Sequence, residues 1–389
     1  MIPVAEATRL LLALARPLAA EVVPLARAAG RVLATDARAA RAQPPFDASA
    51  MDGYAVAGAP QPGASYRVTG EAAAGRRFAG RVAAGEAVRI FTGAPVPEGA
   101  THVVIQEDVV RQGGRITLLP SLGEGPNIRP AGSDFAQGAA LAAPRVLGPA
   151  ELSLLAAMNL PEVSVARRPE VVLIGTGDEL VMPGEVPGED QIVASNLFGL
   201  KALAEAAGAR VRMPPIARDT EASLRAVFAL AEGADLVVSI GGASVGAHDL
   251  VAQVAQGLGV EMAFHKVAMR PGKPLMSGRM GDAAMLGLPG NPVSALVCGH
   301  LFLAPMIRAM QGHPTPLPRR TTATLGADLG PNGPREHYMR ARLDSGTVTA
   351  FERQDSALLT VLAEANALLV RPVGDGVRKA GEAVPVVPL

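Results

Sequence analysis

The chain has 389 residues, more than one hydrophobic core usually supports, so two to four domains are expected. Its 36 Lys and Arg residues balance 36 Asp and Glu residues, which excludes a general electrostatic footprint for nucleic acid or an anionic membrane and makes any anion binding local. Hydrophobic residues reach 49% with only 3% aromatics and no Trp, so the cores are built from Ala, Leu, Val and Ile, a composition suited to helices and parallel strands.

No apolar run approaches the length of a membrane span. The opening VAEATRLLLALARPLAA carries Val4, Ala7, Leu11 and Leu14 on one helical face with Pro3 at the first turn, and reads as the amphipathic helix of a cytosolic protein. This helix, residues 1–18, is expected to pack on a sheet domain. Residues 19–41 and 139–168 read as a linking domain, the second segment holding the helix PAELSLLAAMNL. Residues 42–138 are rich in Gly and Pro, with short β-type runs at 66–69, 87–92, 102–108 and 115–118, and read as a β-rich module.

Residues 169–314 switch to an α/β pattern. EVVLIGTG and ADLVVSIGG are continuous apolar strands ending in glycines, as strands buried on both faces do. Helix patterns lie between them, and AAMLGLPG feeds the helix NPVSALVCGHLFLAPMIRAM. The alternation predicts a doubly wound parallel sheet. The single cysteine, Cys298, excludes an internal disulfide and an all-cysteine metal site, and within that last helix it reads as a buried small hydrophobe. The Pro-rich HPTPLPRR then introduces TTATL, HYMRARL, GTVTAF, ALLVRPV and AVPVVPL, so that residues 315–389 form a small β-domain. The fold class is therefore multidomain α/β: a doubly wound parallel sheet, a β-rich module, a small linking domain and a C-terminal β-domain.

In an open parallel sheet, ligands sit beyond the carboxyl ends of the strands. Three glycine-rich segments fall there. GTGDEL adds Asp178 and Glu179 to Gly175 and Gly177. SIGGASVGAHD offers Gly241, Gly242 and Gly246 as an amide-lined concavity, with Ser239 and Ser244 as donors and Asp249 at its end. GLPGNPVSAL places Asn291 at a tight turn and Ser294 in the first turn of a helix, near unpaired amides. None is GxGxxG or GxxxxGK[ST], which disfavours a dinucleotide site or a P-loop. HKVAMRPGKP brings Lys266, Arg270 and Lys273 around a Pro-Gly turn, a concentrated anion site in a neutral chain. Cations and amides here, with carboxylates nearby, are what a metal–phosphate site needs. The β-rich module has its own dense segment, PPFDASAMDGYA, with Asp47, Asp52 and Gly53, and further candidates in Thr92, Glu107, Asp108, Arg129 and Asp134. Taken singly, Asp and Gly in such loops are turn formers.

Taken in order, FDASAMDGYAV, FTGAPVPEGA, GTGDEL, SIGGASVGAHD, MRPGKP and GLPGNPVSAL resemble the molybdopterin molybdenumtransferase family, which includes the C-terminal catalytic domain of gephyrin. The resemblance covers nearly the whole chain. It implies an L-shaped homodimer of four-domain subunits whose active site lies between the sheet domain of one subunit and the β-rich module of the other. It implies transfer of molybdate onto adenylylated molybdopterin, with Mg²⁺, to give molybdenum cofactor and AMP in the cytoplasm, and possible contact with the upstream adenylyltransferase. By position it implies that Ser244, Arg270, Lys273, Ser294, Arg340 and Ser356 hold molybdate or the pterin phosphate, with Gly241, Gly242, Gly246 and Asn291 lining the site. Asp52, Thr92, Asp134, Glu179 and Asp249 match positions needed for activity, Glu179 and Asp249 as metal or pyrophosphate ligands and Asp52 and Asp134 acting from the partner subunit.

The chain departs from the family at three places. Ala194 stands in VASN where a carboxylate is common, Arg270 where Lys is common, and Ser133 where Glu is frequent. Two other readings stay open: a non-catalytic molybdopterin-binding or scaffold protein that lost activity at Ala194, and a nucleotide-dependent transferase unrelated to molybdenum, which the missing P-loop disfavours.

Overall fold

The computed structural model describes residues 1–242 and 250–389, so the expectations at Ser244, Gly246 and Asp249 lie outside the described residues. The N-terminal helix Val4–Leu14 buries Val4, Ala7 and Leu11, the i, i+3, i+7 stripe that its sequence encodes, against the core of the α/β sheet. Arg279 Nη2 fastens its end by donating to the Leu14 carbonyl at 2.7 Å.

Within residues 20–166, Ala20–Pro24, Glu162–Ala166, Val32–Leu33 and Arg145–Val146 form a four-stranded sheet beside the helix Pro149–Ala157. The β-rich module is a six-stranded sheet in the order His102–Ile105, Gly53–Val56, Glu86–Ile90, Ser65–Ala72, Arg115–Leu118, Val109–Gln112. Alternation sorts its side chains to two cores: Tyr54, Val56 and Tyr66 on one face, Ala55, Val88 and Ile90 on the other. The strand Gly53–Val56 sits within the sheet and is buried throughout, although the sequence marks it only as the end of a dense acidic and small-residue segment and not as one of the β-type runs.

The central sheet runs Arg210–Arg212, Glu170–Gly175, Leu236–Ile240, Ala283–Leu288, Met276–Met280, Glu261–His265. Its first four strands are parallel, with Val171 and Leu173 facing one core and Val172 and Ile174 the other. The last two are antiparallel, so the sheet is mixed and not wholly parallel. The reason is the two-residue turn Gly281–Asp282, where Gly281 takes φ +57° and joins Met280 to Ala283 as a hairpin.

The stretch Pro292–Met310 corrects the expectation about apolar length. It spans 19 residues, long and apolar enough to cross a membrane by those criteria, but 78% of that window is buried inside the protein. Its apolar character is that of a core helix packed all round. A π-turn at Gly299–Leu303, in which the Ala304 amide bonds the Gly299 carbonyl, precedes Pro305 and absorbs the helical bond that a proline cannot make.

Residues 321–389 close into a five-stranded barrel: Glu336–Asp344 pairs with Thr347–Ala350, which pairs with Thr321–Leu325, then Ala383–Pro388, then Ala367–Arg371, which returns to Glu336–Asp344. Ala323, Leu325, Ala341, Val348 and Leu369 fill it, while Tyr338, Leu368 and Val370 point outward into the core of the sheet domain. A short strand from the sheet domain, Met269–Arg270, pairs in parallel with Glu336 and His337 and stitches the two domains together.

The barrel also holds a buried ion cluster. Arg371 and Asp375 side chains are only 4% and 6% exposed, 2.5 Å apart, and Arg378 adds a second contact to Asp375 at 2.7 Å. Hydrogen bonds from Arg378, and then from Arg371, hold the Asp375 carboxyl below its ordinary pKa. A depressed carboxylate stabilises the fold above its unfolded pKa and loses that contribution as pH falls through the folded value. Asp375→Ala is therefore expected to cost about 3–5 kcal/mol at neutral pH, by leaving Arg371 buried and uncompensated. Acid unfolding followed by circular dichroism checks this: the gap between variant and parent should shrink at low pH, and a constant gap would contradict it.

Candidate functional site

The parallel strands Glu170–Gly175, Leu236–Ile240 and Ala283–Leu288 all end at one edge, and beyond them opens a cleft of about 630 Å³. Glu179, Gly241, Gly242 and Asn291 line it, together with Thr176, Ala194, Ser195 and Asn196. The strand-end glycines are needed there. Gly241 has φ +94°, and a Cβ on it would lie 2.7 Å from the Thr176 carbonyl oxygen.

The GTGDEL loop is held from below by residues 217–219. The Gly177 amide donates to the Ala217 carbonyl at 3.0 Å, and the Asp219 amide to Asp178 Oδ1 at 3.1 Å. Arg218 Nη1 donates to the carbonyls of both Asp178 (3.0 Å) and Leu180 (3.2 Å), the two residues that flank Glu179. The exposed Glu179 carboxylate folds back over Gly177. Across the cleft, Asn196 Nδ2 donates to the Gly290 carbonyl at 2.6 Å, which fixes the amide and leaves Oδ1 buried with no partner among the described residues. Ala194 is buried in the core cluster and also lines the cleft, so the cleft floor is apolar at that point.

One side of the site is basic. Arg270 and Lys273 are exposed and have no ion-pair partner among the described residues, and Pro274 beside Lys273 lines the cleft. The turn between them needs Gly272, whose φ is +110° and on which a Cβ would come 2.5 Å from Cys298 Sγ. Cys298 is fully buried as expected, and burial pushes its thiol pKa far up, so it backs the turn and is no nucleophile.

Arg340 is fully buried, and its Nε and Nη1 have no hydrogen-bond partner among the described residues. Its Nη2 donates to the Asp355 carbonyl at 2.9 Å, and Gln354 bridges its backbone amide and carbonyl, so Arg340 organises the loop that carries Ser356. That loop sits on the start of the Pro292–Cys298 helix, the Val293 amide donating to the Ser356 carbonyl at 3.0 Å. Ser294, next along, is 4% exposed, and Ala357 lines the cleft. Beside Arg270 in the strand register lies His337, 7% exposed with Nε2 unpartnered. Burial, then the fields of Arg270, Arg340, Arg371 and Arg335, lower its pKa to about 4, so the imidazole is neutral.

The candidates of the β-rich module lie elsewhere. Asp52 Oδ1 accepts from both the amide and the hydroxyl of Thr92, each at 2.8 Å. Those bonds, backbone first, and the nearby Arg89 charge hold the Asp52 carboxyl below its ordinary pKa. Asp134 is exposed, its amide donating to Gln43. No residue of 42–138 lines the cleft, so within one chain Asp52, Thr92 and Asp134 are not brought to Glu179; among the described residues Arg270, Lys273, Ser294, Arg340 and Ser356 also stand outside its lining, next to Pro274, Pro292 and Ala357, which do line it. Asp47 and Asp108 accept from the Ala131 and Gly123 amides, so each ties its segment to a distant one and does not close a local turn. Sequence reasoning missed Arg89, Arg218 and His337, because each matters through a contact with a distant segment.

Glycine loops at the end of a parallel array, with exposed cations and a buried guanidinium on neighbouring segments, define an α/β protein with accessory β-modules and a strand-end cleft. Residues 2–159 match the model described as MoeA N-terminal region (domain I and II), 172–309 the probable molybdopterin binding domain, and 322–389 the MoeA C-terminal region (domain IV). The chain is 39% identical over 368 residues to molybdopterin molybdenumtransferase 2 of Mycobacterium tuberculosis, covering 90% of each chain. It is 35% identical to the molybdopterin molybdenumtransferase of Haemophilus influenzae, covering 96% of this chain and 94% of that one. It also superposes on the molybdopterin biosynthesis moeA protein of Pyrococcus horikoshii OT3 with a TM-score of 0.87 and 28% identity over the whole of both chains. The chain belongs to the molybdopterin molybdenumtransferase family, transferases of molybdenum cofactor biosynthesis.

Proposed function

We propose that this protein is a molybdenum insertase that transfers molybdate onto adenylylated molybdopterin, releasing AMP and forming molybdenum cofactor. The observation that carries this reading is Arg340: a fully buried guanidinium with two unpartnered nitrogens and no ion pair among the described residues. A buried cation in that state is stabilised by an anion that completes its hydrogen bonds. Molybdate, a compact tetrahedral oxyanion, fits that requirement. Arg270 and Lys273 draw it in from the exposed rim, and Ser294 and Ser356 close the far side. Gly241, Gly242 and Asn291 present backbone to the pterin phosphate, a role shared with Ser244 and Gly246.

Mg²⁺ suits the donors present: the exposed Glu179 carboxylate and the orphaned Asn196 Oδ1 are hard oxygens at one cleft. Glu179 and Asp249 are assigned to hold the ion, which when bound supplies charge neutralisation for the phosphate oxygens. Arg218 keeps Glu179 facing the cleft through the two flanking carbonyls. Asp52, Thr92 and Asp134 stand apart from the cleft of their own chain, which favours a homodimer in which the β-rich module of one subunit completes the cleft of the other. We place the reaction in the cytoplasm, with substrate delivered by the upstream adenylyltransferase.

The experiment is direct. The protein, incubated with adenylylated molybdopterin, Mg²⁺ and molybdate, should release AMP; a folded protein that releases none overturns the proposal. One observation favours a second reading, a non-catalytic binder: the methyl of Ala194 sits on the cleft floor where a carboxylate could have held metal. That reading expects tight molybdopterin binding without AMP release, and release restored by Ala194→Asp.

A further inference from the structure

We propose that Arg89 is a positioning residue for the Asp52–Thr92 pair, an inference that rests on reading that pair as part of the catalytic machinery. Arg89 lies opposite Tyr54 in the pairing of Gly53–Val56 with Glu86–Ile90. Its guanidinium carbon is 5.0 Å from the Tyr54 ring centroid and 4.8 Å from that of Phe91, so two aromatic rings hold one cation.

The donors of Arg89 are directed as well. Nη1 donates to the Gly53 carbonyl at 3.3 Å and Nη2 to Gln106 Oε1 at 2.6 Å, while the Gln106 amide donates to the Asp52 carbonyl at 3.0 Å. Asp52 precedes Gly53, and Thr92 follows Phe91. One side chain therefore fixes the backbone on both sides of the bond between Asp52 and Thr92. Asp52 lies beyond the sheet end, where nothing in the strand pairing itself would hold its carboxylate against Thr92. Arg89 is also the one charged group whose field acts on Asp52 among the described residues, and it favours the ionised form. On the adjoining segment, Gln106 Nε2 also donates to Glu107 Oε1 at 3.1 Å.

Two variants separate positioning from mere packing. Arg89→Met keeps an apolar stem between the rings and removes charge and donors; Arg89→Lys keeps the charge without the planar fork. The dimeric protein, labelled with ¹³C at Asp carboxyls, gives the Asp52 titration directly, and AMP release gives kcat and KM. Arg89→Met should move the Asp52 midpoint and the acidic limb of kcat to higher pH, and lower kcat by roughly 10- to 100-fold with KM for molybdate unchanged. Arg89→Lys should restore the midpoint but only part of kcat. An unmoved Asp52 midpoint with kcat within twofold of the parent would overturn the inference. If Arg89→Met does not fold, Arg89→Lys still decides: full kcat in that variant refutes the fork's role. The underlying reading fails separately, if Asp52→Asn keeps full turnover while the titration in Arg89→Met still shifts.

Discussion

Arg340→Met is expected to lower AMP release with molybdate by roughly 100- to 1,000-fold, the size of effect seen when a preorganised donor to a developing or bound anion is removed. The same substitution should leave the fold as stable as before, or more so. Arg340 has no ion pair among the described residues, two of its nitrogens have no partner, and burial pulls its guanidinium pKa below the ordinary value. Methionine, a flexible apolar side chain, removes the buried charge at the loss of the Nη2 bond to the Asp355 carbonyl, and replacing buried charge by hydrophobes is often neutral or stabilising. The opposed directions are the useful signature, since a residue that only holds a loop would lose stability and activity together. Thermal unfolding beside a molybdate titration of turnover reads both. A lowered melting temperature with turnover intact would return Arg340 to a structural role and remove the main support for an oxyanion site.

Gly53→Ala should be the most damaging single methyl in the β-rich module. Gly53 is paired on both sides, with Ile90 and with Ile105, so its strand cannot shift toward open space. A Cβ there would run into the carbonyl of Val104, with the Val104 carbonyl carbon at 2.8 Å and Ile105 Cα at 3.0 Å. These are backbone atoms, which cannot rotate away. The expected cost is roughly 3 kcal/mol, the upper range for overpacking in a closed core. Because Asp52 is the preceding residue, its bonds to Thr92 should break, and a displacement of that kind can cost about 100-fold in rate. Hydrogen exchange at residues 53–56 and at the Thr92 amide is the measurement; protection equal to the parent would contradict the prediction. Gly58→Asn serves as a control, since Gly58 has φ +77° with nothing within 4 Å of an added Cβ. Asparagine tolerates that conformation.

Much of this fold is legible in the sequence where a pattern repeats within one segment. The barrel strands alternate, TTATL and ALLVRPV among them, and the parallel strands EVVLIG and LVVSI are unbroken apolar runs, so both classes are visible. Glu261–His265 and Met276–Met280 are not: EMAFH and MSGRM mix charge, glycine and methionine, and only their pairing makes them strands. GYAV was hidden for another reason. It follows a cluster of small and acidic residues that reads as a loop, and its burial comes from strand partners distant in sequence, from Ala87 opposite Val56 to Ile105 opposite Gly53. At the site, strand-end glycines announce the cleft because a tight turn needs them. Arg340 is different. Nothing in HYMRARL distinguishes it from an exposed strand arginine, and its importance rests on the resemblance until burial is seen. Arg89, Arg218 and His337 carry no local mark at all, because each acts on a segment reached only through tertiary contact.

The short strand Met269–Arg270 has a consequence for how the protein can be divided. By chain order it belongs to the sheet domain, yet its hydrogen-bonding partner is Glu336–His337 of the barrel. The C-terminal barrel is thus not a detachable cassette. A chain ended after residue 320 would lose Arg340 and Ser356 outright and would also free the loop bearing Arg270 and Lys273 from its anchor. Barrel and sheet domain share custody of the cations, so a barrel exchanged from a relative would have to bring a matching edge for two residues it does not itself encode.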